Sequence, residues 1–574
     1  MTRGLLVLGL LAAPALHAAD KPNVVLIITD DQGIGDLSLH GNPILKTPHL
    51  DKIAETGVRF SRFYVAPVCA PTRASLLTGR YYYRTGVVDT FVGRALMHPD
   101  EVTIAEALAK AGYRTGQFGK WHLGDNYPLR PQDQGFAESL MLRGGGLGQP
   151  SDPPGGSSYF DPHLEHNGKA VQPKGYVTDV ITDAALDFID KAGKEPFFVY
   201  LAYNAPHGPL EVPADYHAMY KGKDLGPDSF PKGGYPWKLD QPDGMAKLYG
   251  MVKNIDDNVG RLLARLEQRQ LRENTIVVFL TDNGPQQERY RMGLRGLKAS
   301  VFEGGVRVPF FVSWPGGLKA GRVVSTPAAH IDVLPTLLEL CGTERGPGRP
   351  LDGKSLVPLL KEDAPKWDDR TLYVQWHRGE VPELGRAFAA IGPRWKLVQP
   401  AGVQPNATWK NAPLQLFDLL PDPYEQKDVA KDNADVVAAM KKGYDAWFAS
   451  VAKEREFLPP RIVLGTDHEP VTTLTRQDWR GPNAAWTPTS NGHWETEVAQ
   501  AGKYRVRVWF APVKGPSTVT FKFGDRTVSR DVAAEAKELT LSGVELPAGP
   551  GRVLVEVKTG DAVAGPSHVE LKRE

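Results

Sequence analysis

Three short stretches of this chain are apolar almost without interruption: Val24-Val25-Leu26-Ile27-Ile28, Phe197-Phe198-Val199-Tyr200-Leu201-Ala202 and Ile276-Val277-Val278-Phe279-Leu280. Such runs are too short for buried helices, and β-branched and aromatic residues dominate them, so each reads as a strand. A strand with one wet face alternates in polarity. A strand without alternation is covered on both faces, as in parallel sheets flanked by helices. Amphipathic patterns at Thr103–Ala111, Val177–Lys191 and Leu248–Gln268 supply covering helices, and Thr47-Pro48 predicts another start, with Thr47 as cap. The chain is therefore expected to build an α/β domain.

Ligands of such sheets lie beyond the C-terminal ends of the strands. Asp30-Asp31 follows the first run, Tyr203-Asn204-Ala205-Pro206-His207 the second, and Asp282-Asn283 the third. Adjacent carboxylates repel unless a cation lies between them. Either pair alone reads equally well as a loop or a helix cap. Gathered at one sheet edge, three carboxylates and an amide oxygen make a hard site suited to Ca²⁺ or Mg²⁺, and zinc-type spacing of Cys and His is absent.

Cys69-Ala70-Pro71-Thr72-Arg73 is the other distinctive segment. Pro71 suits the first turn of a helix that Ala74, Leu76 and Leu77 continue and Gly79 closes. Cys69 then lies just before the helix N-terminus, where an anion is favoured, and Arg73 points its fork to the same place. A bare C-x-P-x-R is more often a buried Cys ahead of a helix. In Gly119-Lys120-Trp121-His122-Leu123-Gly124, strand spacing places Lys120 and His122 on one side. A cation and a titratable imidazole there suit an anionic ester.

In this order, the segments resemble the type I, formylglycine-dependent sulfatases of the alkaline phosphatase superfamily. The matching pieces are Asp30-Asp31, C-x-P-x-R with Thr78-Gly79-Arg80, Gly119–Gly124, Ala205-Pro206-His207, Thr281-Asp282-Asn283-Gly284, Lys298 and Glu303-Gly304-Gly305-Val306-Arg307-Val308-Pro309. The resemblance runs from Asn23 to about Leu360. It implies a large mixed sheet sandwiched by helices, alkaline phosphatase-like, followed by a small antiparallel α+β subdomain. It implies hydrolysis of a sulfate monoester, with Cys69 converted to 3-oxoalanine (formylglycine) by a maturation enzyme. It implies one Ca²⁺, ahead of Mg²⁺, held by Asp30, Asp31, Asp282, Asn283 and modified residue 69. Arg73 would hold the hydrated aldehyde, Lys120, His207 and Lys298 would surround the sulfate, and His122 would touch position 69. In the implied chemistry one hydroxyl of the hydrate attacks sulfur and His207 or Lys298 protonates the leaving alcohol. His122 then takes the proton of the second hydroxyl, so that C–O cleavage frees sulfate. Relatives with the same nucleophile cleave phosphate or phosphonate esters, which is the alternative activity. A glycan-binding protein with a decayed site is the more distant one.

The remainder of the chain sets the context. At 574 residues, with 68 Lys+Arg against 67 Asp+Glu, nothing calls for nucleic acid or a membrane surface as partner. Arg3, the apolar Leu5–Ala13 run and the small residues before Ala19 predict a cleaved signal peptide over residues 1–19 and an exported, periplasmic or secreted protein. With only Cys69 and Cys341, the chain is no disulfide scaffold; Cys341 is expected to pack. The expected units are a catalytic domain at 20–365, the subdomain at 366–457 and, past a Pro459-Pro460 linker, a β-sandwich at 461–574. The sandwich resembles accessory domains of exported polysaccharide enzymes. Its Trp479, Trp486, Trp494 and Trp509 form either a sugar-stacking face or core, with core favoured. The expected partner is a sulfated glycan or another sulfate ester. Leu142–Lys174, rich in Gly, Pro and Ser, is expected to be a long specificity loop. In this loop and in Gln286–Arg295, Arg143, His163, Arg289, Arg291 and Arg295 are candidates to contact sugar, or plain surface charges.

Overall fold

The computed structural model describes residues 21–363 and 365–574, so the predicted signal peptide lies outside the described residues. Among the described residues no helix is long and apolar enough to cross a membrane. All three apolar runs are strands, and they lie side by side in the middle of an 11-stranded sheet. Asn23–Thr29 pairs in parallel with Thr275–Thr281 on one side and Phe197–Ala202 on the other, and Arg114–Lys120 follows, also parallel. Arg307–Ser313 and Val58–Tyr64 join antiparallel, which makes the sheet mixed.

The lack of alternation in the runs is explained by two cores. Val24, Leu26 and Ile28 face a core that also takes Ala70, Leu76 and Leu77 of the Cys69–Thr78 helix. Val25 and Ile27 face a second core, closed by the Val177–Ala192 and Pro242–Gln268 helices. Each such side chain, fully buried, contributes about 1.5–3 kcal/mol. The Pro48–Glu55 helix starts at the expected place without the expected cap. The Thr47 hydroxyl donates to Asp51 at 3.0 Å instead. Asp256 of the long helix opposite accepts the His49 and Leu50 N–H groups, each at 2.9 Å. The Leu142–Lys174 segment is largely irregular, as expected, apart from a small hairpin of Leu164–His166 and Lys169–Val171 at the sheet edge.

Strands Leu372–Gln375, Phe388–Ile391, Trp395–Gln399 and Gln415–Asp418 form an antiparallel sheet. The Ala434–Arg455 helix inserts Tyr444, Trp447 and Val451 into the first core, so this subdomain has no core of its own. Buried Lys396 pins it to the α/β unit through an ion pair with Glu303 at 2.9 Å, and Glu425 of the subdomain, itself 2.9 Å from Lys396, accepts the Glu303 N–H at 2.7 Å. That pairing gives the Glu303–Pro309 segment a structural role.

A six-stranded and a four-stranded sheet over residues 462–573 share a third core. The longer strands include His493–Val498, Gly502–Trp509, Ser517–Phe523, Glu538–Leu546 and Gly549–Thr559. Ile462–Leu464, Val471–Thr475, Arg526–Val532, Ala562–Ala564 and His568–Arg573 are additional. Arg526–Val532 carries no alternation because it is an edge strand, mostly exposed on both faces.

Candidate active site

Strand register assembles the site. Thr29 pairs with Thr281 and Ile28 with Ala202, so Asp30, Asp282 and the Tyr203–His207 turn leave the sheet at one level. Gly119 also pairs with Ala202, which brings Lys120 to that level. Cys69 is the first residue of its helix rather than the residue before it; Gly79 closes the helix at φ 69°. The Cys69 sulfur and carboxylate oxygens of Asp30 and Asp282 lie within 4.8 Å of one another. Ligand atoms of Asp30, Asp31 and His207 do the same. Asp31, His122 and Ala299 hold φ values of 62°, 63° and 70°, a left-handed conformation that non-glycine residues rarely adopt.

Each carboxylate meets a cation. Lys120 donates to Asp30, and Lys298 Nζ to Asp31 at 2.6 Å. Arg73 Nε and Nη2 donate to Asp282 Oδ2 at 3.1 and 2.8 Å. The Arg73 fork is therefore directed at Asp282 and, through Nη1, at the Lys120 carbonyl, rather than at position 69 as expected. Burial alone would raise Asp31, but Lys298 and His207 hold it below the usual carboxylate range. Asp282 is pushed up to about 7 by burial and then by neighbouring Asp30, against the pull of Arg73. Asp30 and Asp282 are thus crowded against each other, each beside its own cation. Three oxygens there, Asp30 Oδ1, Asp31 Oδ2 and Asn283 Oδ1, are buried with no partner among the described residues. The amide nitrogen of Asn283 is committed to Asp31 Oδ1 at 2.8 Å and Gly284 O at 2.9 Å, which fixes which atom is left over. Buried polar atoms without partners are rare and costly. Three of them on hard oxygen donors, beside two crowded carboxylates, fit Ca²⁺ or Mg²⁺. Burial pushes the Cys69 thiol up, so it stays protonated, a poor nucleophile and a poor partner for a hard cation.

The two histidines are held in defined states. His122 Nε2 lies 2.7 Å from the Thr90 carbonyl, which only accepts, so Nε2 carries the hydrogen. Its Nδ1 is then a bare lone pair, buried with no partner among the described residues. Burial, then Lys120, push His122 well below its ordinary pKa, so it is neutral and able to take a proton. The sequence predicts strand spacing for both Lys120 and His122; instead the strand ends at Lys120 and His122 follows in a left-handed turn. His207 Nδ1 donates to Gly208 O at 2.7 Å, and its Nε2 lies 3.8 Å from Asp31. Burial depresses His207 to about 4.

The sulfatase family model matches residues 22–343, more than half of the chain, and a model described as N-sulphoglucosamine sulphohydrolase, C-terminal, matches 297–446. The chain belongs to the sulfatase family. It is 34% identical to arylsulfatase A of Homo sapiens over 79% of this chain and 93% of the relative. The solved structure of Ps i-CgsB in complex with k-i-k-neocarrahexaose is 31% identical, with a TM-score of 0.62, covering 74% of this chain and 92% of that one. The phosphonate monoester hydrolase of Agrobacterium radiobacter shares the fold at 22% identity and a TM-score of 0.54, covering 76% of this chain and 96% of its own. The sulfatase is a sulfuric ester hydrolase with a mixed α/β fold.

The candidate metal ligands and sulfate-pocket residues singled out in the sequence lie together in this sulfatase, with Arg73 turned towards Asp282. Cys69, His122, His207 and Lys298 line one cavity of about 600 Å³. The five candidate sugar contacts do not line it. Arg289 is buried in an ion pair with Asp36 at 2.7 Å, and Arg291 is bound to Glu288 at 2.7 Å. Arg143 pairs with Glu165 at 2.8 Å, and Arg295 stacks 3.7 Å over Phe302. His163 lies elsewhere on the loop, its N–H donating to Ser157. Charged residues of a loop were taken for surface, whereas buried carbonyls and carboxylates consume them. Both cysteines are free, and Cys341 packs in the first core. The tryptophans divide. Trp479 and Trp494 are core, Trp509 lines a separate cavity, and Trp486 lines the active-site cavity. The cavity also takes Thr90, Phe91, Gly145, Gln149, Arg378 and Gln404, none carried by a motif. The one available signal was the Gly144-Gly145-Gly146 run. A Cβ at Gly145 would lie 2.7 Å from His122 Cε1 and Nε2, and one at Gly146 would lie 3.2 Å from His207 Nδ1. The loop passes directly against both imidazoles, which is why it carries no side chains there.

Proposed function

We propose that this sulfatase removes a sulfate ester from a carbohydrate, using formylglycine made from Cys69 by a maturation enzyme and one Ca²⁺, and that it acts after export, in the periplasm or outside the cell. The observation that carries the reading is the set of three partnerless oxygens on Asp30, Asp31 and Asn283, next to a thiol too buried to ionise. Asp30, Asp31, Asp282 and Asn283 would hold the ion, which supplies positive charge to a hydroxyl at position 69. A hydrated aldehyde there supplies two hydroxyls on one carbon, one to displace the alcohol from sulfur and one whose deprotonation releases sulfate.

The chain's own residues do the rest. Lys298 and Lys120 place positive charge around an anionic ester before it arrives. His122, fixed by Thr90 with Nδ1 bare, is the base. Lys298, or His207 once its Nε2 has gained a proton, gives the proton to the leaving alcohol. Arg73 holds Asp282 in place and opposes its protonation. A single all-oxygen site favours sulfate over phosphate esters; superfamily phosphatases have Ser or Thr and more metal ligands. Similarity to the complex of Ps i-CgsB with an oligosaccharide supports a glycan substrate.

The test is mass spectrometry of the residue-69 peptide together with sulfate release from aryl and sugar sulfates. Co-expression with a maturation enzyme should give the aldehyde and turnover, and Cys69→Ala should give neither. Full activity in protein carrying an unmodified thiol, or faster turnover of aryl phosphate than aryl sulfate, would overturn the reading.

A further inference from the structure

The cavity over Cys69 is not completed by the α/β unit. Its floor is Cys69, His122, His207 and Lys298, and its outer wall is Phe91, Arg378, Gln404, Pro405 and Trp486. Arg378 and Gln404 belong to the antiparallel subdomain. Trp486 comes from the loop between the Val471–Thr475 and His493–Val498 strands of the sandwich. The sandwich is therefore part of the active site.

Its position is firmly fixed. Val92, from the loop that also carries Thr90, is 2% exposed and lies in the sandwich core. The Gly93 N–H donates to Gln477 O at 2.8 Å, and Arg480 returns a bond to Gly93 O at 2.7 Å. Gln477 Nε2 donates to the Thr90 carbonyl at 3.0 Å, the same oxygen that orients His122. Phe91 stands edge-on to Trp486, with centroids 5.4 Å apart at 87°. The Arg378 guanidinium lies 4.5 Å above the Phe91 ring, and its Nη1 donates to Asp89 at 3.0 Å and Thr90 at 3.2 Å. Its Nε and Nη2 make no hydrogen bond among the described residues, and its side chain is 30% exposed.

An indole at the rim of a cavity offers a flat apolar surface that suits the carbon face of a sugar ring. A guanidinium held at one nitrogen, with others open, suits a carboxylate or sulfate. We propose that Trp486 and Arg378 form a subsite for an anionic sugar unit joined to the one whose sulfate is removed, so that the substrate is an anionic oligosaccharide rather than a monosaccharide or a small aryl ester. This rests on the sulfate-ester reading above, and it gives the sandwich a role in substrate choice.

The test uses the full-length, matured protein, with aldehyde content at residue 69 measured in every preparation. The probes are 4-nitrophenyl sulfate, O-sulfated monosaccharides, and O-sulfated disaccharides whose second unit is neutral, a uronate, or itself sulfated. The wild type should prefer a charged disaccharide, and the uronate and sulfate arms show which anion is read. Trp486→Ala should lower the ratio of disaccharide to aryl kcat/KM about tenfold or more, and Trp486→Phe should restore much of it. Arg378→Gln should lower the ratio about tenfold for charged disaccharides and much less for the neutral one. The ratio cancels partial misfolding, and the Arg378 variant stands independently of the sandwich loop. A wild type with no preference for disaccharides, or variants with ratios within threefold of wild type, would overturn the inference. Matured protein that releases sulfate from no probe would overturn the sulfate-ester reading, and this inference with it.

Discussion

Gly145→Ala isolates the role of His122 without touching a charged group. A Cβ at this position would lie 2.7 Å from His122 Cε1 and Nε2, and 3.1 Å from Gln149 Oε1. Non-bonded carbon and nitrogen atoms settle near 3.5–4 Å, so about 1 Å must be found. Gly145 does not occupy the left-handed region, so alanine adds no backbone strain and the fold should persist. The loop backbone or the imidazole must move. The imidazole is 3% exposed and anchored by a 2.7 Å bond from Nε2 to Thr90 O. A shift of that size stretches the bond past useful length and turns Nδ1 away from its task. Misplacing a reacting group by 1 Å costs on the order of 10²-fold, or about 2.7 kcal/mol in the barrier.

Gly146→Ala is the internal comparison. Its Cβ would meet His207 Nδ1 at 3.2 Å and Gln149 Nε2 at 3.0 Å, a milder overlap, so its loss should be a small multiple. The assay is steady-state sulfate release, corrected for the aldehyde fraction at residue 69, with circular dichroism to confirm the fold. Turnover of Gly145→Ala within threefold of wild type, or a larger loss in Gly146→Ala, would show that His122 is not held where the reaction needs it.

Three further outcomes are expected. Chelation should lower the melting temperature and added Ca²⁺ should restore it, since occupancy at 100 times Kd stabilises by about 2.7 kcal/mol; Asp31→Asn should blunt the response, and a melting temperature indifferent to chelator would count against the ion. If His207 is the acid, His207→Gln should slow sugar sulfates about 10²-fold or more yet slow 4-nitrophenyl sulfate far less, because a nitrophenolate leaves without a proton; equal losses would assign the acid to another group. Acid stability should track two buried histidines outside the proposed catalytic set. Burial depresses His330 to about 3 and His377 to about 4, and His377 Nε2 accepts the Glu383 N–H, which a protonated ring cannot do. Both folded values lie below the unfolded value near 6.5, so the unfolded chain binds more protons below that pH. Stability should therefore be full near neutrality and fall as pH drops from about 6.5 towards 4, by up to about 1.4 kcal/mol per pH unit for each histidine. His330→Gln or His377→Gln should flatten the fall seen in melting temperature against pH.

What was legible in the sequence follows from how each feature is encoded. Strands buried on both faces announce themselves by composition, and a parallel sheet forces whatever follows them to one edge. Asp30, Asp31, Asp282 and Asn283 could therefore be grouped before any contact was known. Position 69 was legible for a similar local reason, because Pro71 and Gly79 bound its helix. The outer wall was not, because nothing local encodes it. Arg378 follows a short strand, Gln404 sits in a loop, and Trp486 lies about 400 residues past Cys69 in what reads as a separate domain. The arginines of Gln286–Arg295 mislead for the converse reason. A loop rich in charge reads as solvated, yet Arg289 donates three hydrogen bonds to Asp36 and one to the Asp31 carbonyl. It thereby buttresses a proposed metal ligand from behind.

The same contrast bears on how substrate choice is built. The residues proposed to meet the sulfate stand at strand ends, on the Cys69–Thr78 helix and in the turns beside them, so they cannot be altered without disturbing the sheet edge. The wall proposed to meet the rest of the substrate is carried largely by a loop of the subdomain and a loop of the sandwich, where changes disturb no core strand. Val92 locks these layers together: a β-branched residue at φ 48° is strained, and burial in the sandwich core holds it there. Thr90, two residues earlier, is held by Gln477 of the sandwich and in turn holds His122. If the sandwich were a tethered module for localisation, its contacts would end at the domain surface. Instead they reach the carbonyl that sets the tautomer of the base, so docking of the sandwich and the protonation geometry of His122 are coupled through one backbone oxygen.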